Sequence, residues 1–240
     1  MNPDHQTGRT RREFLRDAAL AASFAALPLE VAAADNAGTA MPTTALSAGY
    51  LSLGPEEAAF VEAMVEIMCP ADGLTPGGVE CGLAVFIDRQ LAGGFGKGER
   101  LYLRGPWRRG DPEDGYQLPL TPEQFFKAGL CAAENACRRS HQKSFAELSA
   151  EEADAFLIIL SQGGVGNERL SLAEWFNDMV YPLFVQACFA DPIYGGNRDK
   201  VFWKMVGYPG LPAVNGLNMV KYRGKPFPGA NAPKSMEDFG

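Results

Sequence analysis

The sequence contains very little of the residue chemistry from which metal and haem sites are built. It has two histidines and five cysteines in 240 residues, and no Cys-x-x-Cys pair. A structural zinc site therefore lacks its usual ligands, and without Cys-x-x-Cys-His there is no covalently attached c-type haem. His141 lies near the end of a predicted helix, beside Arg138 and Arg139. We interpret it as a cap near the helix carbonyls.

Motifs for nucleotide binding and nucleophilic catalysis are missing as well. Gly93–Gly98 lacks the Gly-Lys-Ser/Thr ending of a phosphate-binding loop and follows a predicted helix, where such a loop would follow a strand. Gly163–Gly166 joins two predicted helices, so it fails the dinucleotide fingerprint too. No Gly-x-Ser-x-Gly elbow occurs. We predict no catalytic, cofactor-binding or metal-binding residues in this chain.

Positive charge and long apolar runs are also scarce. The formal net charge is −7, which gives no reason to expect nucleic acid or anionic lipid as a partner. No stretch approaches the ~18 consecutive apolar residues of a membrane span. The mature chain is therefore expected to be soluble.

Residues 1–34 have the pattern of an export signal. Arg11 and Arg12 precede Phe14 and Leu15 in a twin-arginine motif, an alanine-rich run follows, and small residues ending at Ala34 predict cleavage before Asp35. The twin-arginine route carries proteins that have already folded. Either this protein binds a cofactor before export, or it travels with a companion that does. Residues 35–50, rich in Ala, Thr, Gly and Ser, are predicted to be a flexible leader.

The five cysteines leave an odd thiol if disulfides form in an oxidising compartment. Cys69 and Cys81 flank a Pro/Gly loop and are the candidate internal disulfide. Cys131 and Cys137 are six residues apart on a predicted helix, so they point to different faces. Cys188 is interpreted as a small buried apolar residue.

Helical patterns occupy most of the chain, and no strand-like alternation of useful length occurs. Three capping boxes, beginning at Thr121, Ser149 and Ser171, mark helix starts. Pro182 lies inside the last apolar pattern and is expected to kink that helix. Residues 51–240 are predicted to form one all-α domain of about five main helices with long loops, coil-rich from about 190, with an extended tail over 221–240. The predicted helices span 54–69, 80–92, 121–141, 149–161 and 171–189.

The stretch from Asp191 to Gly210 combines shaped backbone with aromatic side chains. Glycine and asparagine permit positive φ and proline fixes φ, so the loop is expected to follow one irregular path. Aromatic rings on such a loop need a core or a partner to cover them. A tight connection packed on its own helices remains the alternative. The candidate partner interface is Asp191, Tyr194, Gly195, Gly196, Asn197, Trp203, Gly207, Tyr208, Pro209 and Gly210.

The twin-arginine leader, the all-α body and the 191–210 stretch together resemble the gluconate 2-dehydrogenase subunit 3 family. The resemblance implies a non-catalytic small subunit of a periplasm-facing, FAD-dependent sugar or sugar-acid dehydrogenase. In such complexes a large flavoprotein holds FAD and a multihaem cytochrome c holds haem c. The small subunit would assist maturation and twin-arginine export of the large one, and its partners would place it peripherally at the inner membrane.

A second interpretation is a free-standing periplasmic helical enzyme or binding protein for a sugar acid. Its ligand would lie near Trp107, Arg108 and Arg109. Pairing of these arginines with Asp111, Glu113 and Asp114 is the ordinary alternative.

Overall fold

The computed structural model describes residues 49–107, 110–111, 118–165, 170–211 and 216–239. The predicted signal peptide and nearly all of the predicted leader lie outside these ranges. Both therefore stay predictions, as does the cleavage site before Asp35.

Four of the predicted helices lie where the sequence patterns place them. They are α1 (Pro55–Met68), α2 (Leu83–Ala92), α3 (Pro122–His141) and α4 (Ala150–Ser161). The Thr121 hydroxyl accepts a hydrogen bond from the Gln124 amide at 3.3 Å, as a capping box requires. The described residues contain no β-strand, so the all-α prediction is confirmed. None of the helices in these ranges is both long and apolar enough to traverse a bilayer.

The helix predicted over 171–189 is divided into three parts. Helix α5 (Leu172–Trp175) passes into a π-helical segment (Phe176–Val180), and helix α6 (Tyr181–Phe189) follows. Pro182 has no N–H to donate to the carbonyl four residues back, so the regular ladder cannot continue through it. A widened π turn lies just before the proline and is the irregularity that the structure shows in this helix.

The core is centred on aromatic side chains from α1, α3, α5 and the 3-10 turn Phe145–Glu147. The rings of Phe60 and Phe145 stack with their centroids 4.4 Å apart. Trp175 is fully buried and donates its indole N–H to the Phe126 carbonyl at 3.0 Å. Gly129 makes room for it, since a Cβ there would lie 2.1 Å from the indole. The α3–α5 contact therefore depends on a glycine that faces a tryptophan.

The C-terminal part is more structured than the extended coil predicted over 221–240. Two short helices, α7 (Val201–Val206) and α8 (Gly216–Lys221), are followed by 3-10 turns at Pro228–Asn231 and Met236–Phe239. An isolated parallel bridge joins Gly210 to Lys234. Elements this short carry too few periodic positions for a sequence pattern to reveal them.

Candidate functional site

The 191–210 stretch begins with an aspartate that caps a turn and holds the C-terminus. One carboxylate oxygen of Asp191 accepts from the Ile193 amide at 3.1 Å, and the other accepts from the Met236 amide at 2.9 Å. These bonds begin the Pro192–Tyr194 turn and fix it against the Met236–Phe239 turn. A single side chain thus joins segments 45 residues apart.

Glycines let this stretch lie directly on α2 and α6. Gly195 has φ of +103°, and its carbonyl approaches Gly82 so closely that a Cβ on Gly82 would be 2.2 Å from that oxygen. A Cβ on Gly196 would lie 2.4 Å from the Ala187 carbonyl oxygen. The backbone at 195–196 is therefore packed with no space for side chains, which explains the Gly-Gly pair.

Asn197 is a fully buried polar residue that connects α6 to α7. Its amide nitrogen donates to the Ala190 carbonyl at 3.1 Å, and its amide oxygen accepts from the Phe202 N–H at 3.0 Å. Its φ of +46° lies in the left-handed region, which asparagine tolerates better than most residues. The side chain therefore joins the end of α6 to the start of α7.

Trp203 also belongs to the inside of the domain. It is 5% exposed, and its indole N–H donates to the Phe189 carbonyl at 2.8 Å. The Tyr208 ring meets it edge-on at 5.1 Å, and Tyr208 is still 40% exposed. The tryptophan anchors the loop to the end of α6, and the tyrosine covers it from outside.

The C-terminal segment is hydrogen-bonded to the end of the 191–210 stretch. Lys234 accepts from the Leu211 amide at 2.7 Å and donates its own amide to the Pro209 carbonyl at 3.0 Å. Gly210 is required here, because a Cβ would lie 2.0 Å from the Lys234 carbonyl oxygen. The Lys200 ammonium pairs with the Asp238 carboxylate, which also accepts from the Ser235 amide at 2.6 Å. The C-terminal segment thus lies on this domain.

The Lys200–Asp238 ion pair makes the packing of the C-terminal segment on this domain sensitive to acid. The hydrogen bond from Lys200, followed by that from the Ser235 amide, lowers the pKa of Asp238 to about 2. A carboxyl whose pKa is lowered by folding stabilises the fold above its unfolded pKa of about 4, and loses that effect as pH falls through the folded value. We expect the protection factors of the amides in residues 234–239, taken relative to their intrinsic exchange rates at each pH, to fall between about pH 4 and pH 2.

Asp238→Asn serves as the control for this acid response. It should exchange rapidly over 234–239 already at neutral pH, while helices α1 to α4 keep their native protection. Slow exchange of 234–239 in Asp238→Asn at neutral pH would contradict the role given to the pair.

Exposed apolar side chains follow α6 and the turn after it. Tyr181, Val185 and Phe189 are spaced four residues apart, so they lie along one face of the helix. Tyr181 is 52% exposed and Phe189 is 45% exposed. Ile193 and Tyr194 continue the exposed set in the next turn. We call these five residues the apolar band.

The residues predicted as a partner interface divide into two groups. Asn197 and Trp203 are buried. The glycines at 195, 196 and 210 lie at positions where neighbouring atoms leave no space for a Cβ. Tyr194 and Tyr208 expose their rings. Part of the 191–210 stretch is therefore a tight connection packed on its own helices, which was the alternative to a partner interface. Tyr181, Val185 and Phe189 lie on the other face of α6 from the apolar pattern, and the sequence reasoning did not consider that face as a site.

A buried aspartate, also missed by sequence reasoning, anchors the start of the domain. Asp88 on α2 is 2% exposed and accepts from three consecutive amides, at 2.7 Å from Leu51, 2.8 Å from Ser52 and 2.9 Å from Leu53. Hydrogen bonds to a carboxylate are stronger than neutral ones. The sequence signal that could have revealed this contact is a single aspartate at a core-facing position of the helix predicted over 80–92.

The remaining predicted positions supply no additional chemistry in the described ranges. No group of three or more His, Cys, Asp or Glu side chains among these residues is placed to hold a metal ion. His141 ends α3, where its Nδ1 lies 2.8 Å from the Ser140 hydroxyl. Trp107 is partly buried, whereas Arg108 and Arg109 lie outside the described residues. The proposed sugar-acid pocket therefore stays a prediction.

Cys69 and Cys81 are free thiols in this structure, as are the other three cysteines. Cys188 is buried, as expected, and Cys131 is exposed. The disulfide between Cys69 and Cys81 stays a prediction.

Comparison with known proteins finds one family. The family model described as gluconate 2-dehydrogenase subunit 3 matches residues 55–210, from the first residue of α1 to the glycine that meets Lys234. No curated protein and no solved structure matches the chain.

Proposed function

The chain belongs to the gluconate 2-dehydrogenase subunit 3 family, and from this membership we propose that it is the non-catalytic small subunit of an FAD-dependent dehydrogenase for gluconate or a related sugar or sugar acid. The single observation that carries the proposal is the family match over residues 55–210. Members of the family are subunits of a multisubunit complex, so a partner chain is expected.

The apolar band supports docking of that partner at α6. Exposed aromatic and aliphatic side chains grouped on one face are typical of protein–protein contacts, where aromatic residues are enriched. The band is formed on a rigid support, because Trp203 and Asn197 fix the loop from inside. A surface held rigid before binding loses little conformational entropy on association.

We assign the catalytic cofactors of the complex to other chains. FAD would be held by the large subunit, which oxidises the sugar, and haem c by a cytochrome subunit that passes electrons onward. This chain would then bind no cofactor itself, in keeping with the motifs missing from its sequence.

Export and maturation form the second part of the proposal. Residues 1–34 would direct the folded pair through the twin-arginine translocase, so that a large subunit with no signal of its own reaches the periplasm. The small subunit would help the large one to mature before export. The complex would lie at the periplasmic side of the inner membrane, held there through its other subunits.

Co-production with the large chain tests this proposal. The tagged chain is produced alone and together with a neighbouring FAD-binding dehydrogenase gene, and the purified material is assayed with gluconate and a dye acceptor. We expect flavin absorbance and dye reduction only in the co-produced sample. Dye reduction or sugar-acid binding by the chain alone would overturn the proposal and favour the free-standing enzyme or binding protein.

A further inference from the structure

Two buried thiols reach the same carbonyl oxygen at the base of a loop. Cys69 caps α1 and places its sulfur 4.0 Å from the Pro76 carbonyl oxygen. Cys81 comes just before α2 and places its sulfur 3.4 Å from that oxygen. Because both sulfurs lie within 4.0 Å of one oxygen atom, both thiols face the base of the loop formed by residues 70–80.

The loop is closed by backbone hydrogen bonds that do not depend on the thiols. The Gly78 amide donates to the Cys69 carbonyl at 2.8 Å, and the Cys81 amide donates to the Gly77 carbonyl at 2.9 Å. Gly78 passes so close to α1 that a Cβ would lie 2.2 Å from the Val65 carbonyl oxygen. The fold therefore holds both cysteines at the base of the same closed loop.

We propose that Cys69 and Cys81 form a cross-linking site, at which a disulfide-bearing oxidant converts the two thiols into an intrachain disulfide. The thiolate of one cysteine attacks the oxidant and releases its first thiol, and the other cysteine then attacks the mixed disulfide and releases the second. Two S–H bonds are lost and one S–S bond forms. The oxidant gains two electrons and two protons and leaves as two thiols.

Burial makes the folded state slow to react. Desolvation raises the pKa of Cys81 to about 11 and also raises the pKa of Cys69. Because the thiolate is the attacking form, both cysteines are poor nucleophiles near neutral pH while the loop is closed. The loop tip, which includes Leu74, is exposed, so opening of this loop is the route by which an oxidant reaches the sulfurs.

The cross-link lies beside the rigid support of the apolar band. The Cys81 carbonyl accepts from the Arg198 amide at 3.1 Å, and the next residue, Gly82, contacts the Gly195 carbonyl. A bond from Cys69 to Cys81 would therefore tie α1 to the backbone on which the 195–198 segment lies. The inference concerns this chain alone and holds whether or not the proposed function is correct.

Oxidation of the purified full chain with oxidised glutathione tests the site. Remaining thiols are alkylated, and the cross-link is identified by peptide mapping and by the loss of two hydrogen atoms from the intact mass. We expect Cys69 and Cys81 to be joined in the native chain, and faster joining in mild urea. The variants Cys69→Ser and Cys81→Ser should each abolish the bond, whereas Cys131→Ser and Cys188→Ser should retain it.

A proteolytic readout makes the result independent of mass differences. After cleavage within residues 71–77, the two fragments of the oxidised chain should migrate together on a denaturing gel until a reductant is added. Separation without reductant would overturn the proposal. So would a bond from Cys188 to either cysteine, or glutathione adducts at Cys69 and Cys81 with no intrachain bond, even in mild urea.

Discussion

Val185→Asp is expected to release the large subunit from this chain. Val185 lies at the middle of the apolar band and is 36% exposed, so the free chain tolerates a carboxylate there. In a desolvated contact an unpaired carboxylate costs several kcal/mol. Since about 1.4 kcal/mol corresponds to a tenfold change in affinity, we expect binding to weaken about 100-fold or more. The measurement is the flavin that co-purifies with the tagged chain.

Ile158→Asp is the matched control for Val185→Asp. Ile158 is also a β-branched residue on the outer face of a helix, α4, and it is 47% exposed. The two variants add the same charge to the same kind of surface, so only position differs. If both variants lose the same amount of co-purified flavin, or if neither loses any, the apolar band is not the docking surface.

Trp175→Ala is expected to have the largest effect on stability. The indole is fully buried, faces Gly129 and donates to the Phe126 carbonyl. Replacing a buried tryptophan by alanine removes apolar contacts and leaves a cavity, which costs about 3–5 kcal/mol. The carbonyl also loses its donor. Urea unfolding followed by circular dichroism should show this loss as a lower midpoint.

Trp175→Phe separates packing from the hydrogen bond. It keeps an aromatic ring against Gly129 and removes the N–H, so we expect a smaller loss of about 1–2 kcal/mol. A loss below about 1 kcal/mol for Trp175→Ala would mean that the α3–α5 contact is not central to the core.

Local signals account for the parts of the fold that the sequence could predict. Thr121 and Ser149 cap helices because their hydroxyls satisfy an amide that the helix leaves free. Apolar residues at helical spacing, Trp175 among them, are typical of a helix face that packs on a core, and Trp175 is buried in the structure. Pro182 marked an irregularity in the helix, although a proline by itself does not specify the π turn that precedes it.

The candidate site depended on contacts between distant residues, which no local pattern contains. Asn197 is typical of a loop surface by residue type, and the sequence left open whether a core or a partner covers Trp203. In the structure, carbonyls on α6 and after it bind both side chains inside the domain. The pairing of Gly210 with Lys234 joins positions separated by a stretch with no periodicity. The outer face of α6 could be recognised only once the packing of its inner face was known.

Hydroxyl-radical footprinting of the chain, free and bound to the large flavoprotein, tests the central claim most directly. It reports the exposure of individual aromatic side chains, three of which lie in the band: Tyr181, Phe189 and Tyr194. Tyr102, which is 81% exposed and outside the band, is the internal reference. We predict that oxidation of the three band residues falls several-fold on binding while that of Tyr102 does not change. Unchanged oxidation at all three with the flavoprotein bound would place the docking surface elsewhere.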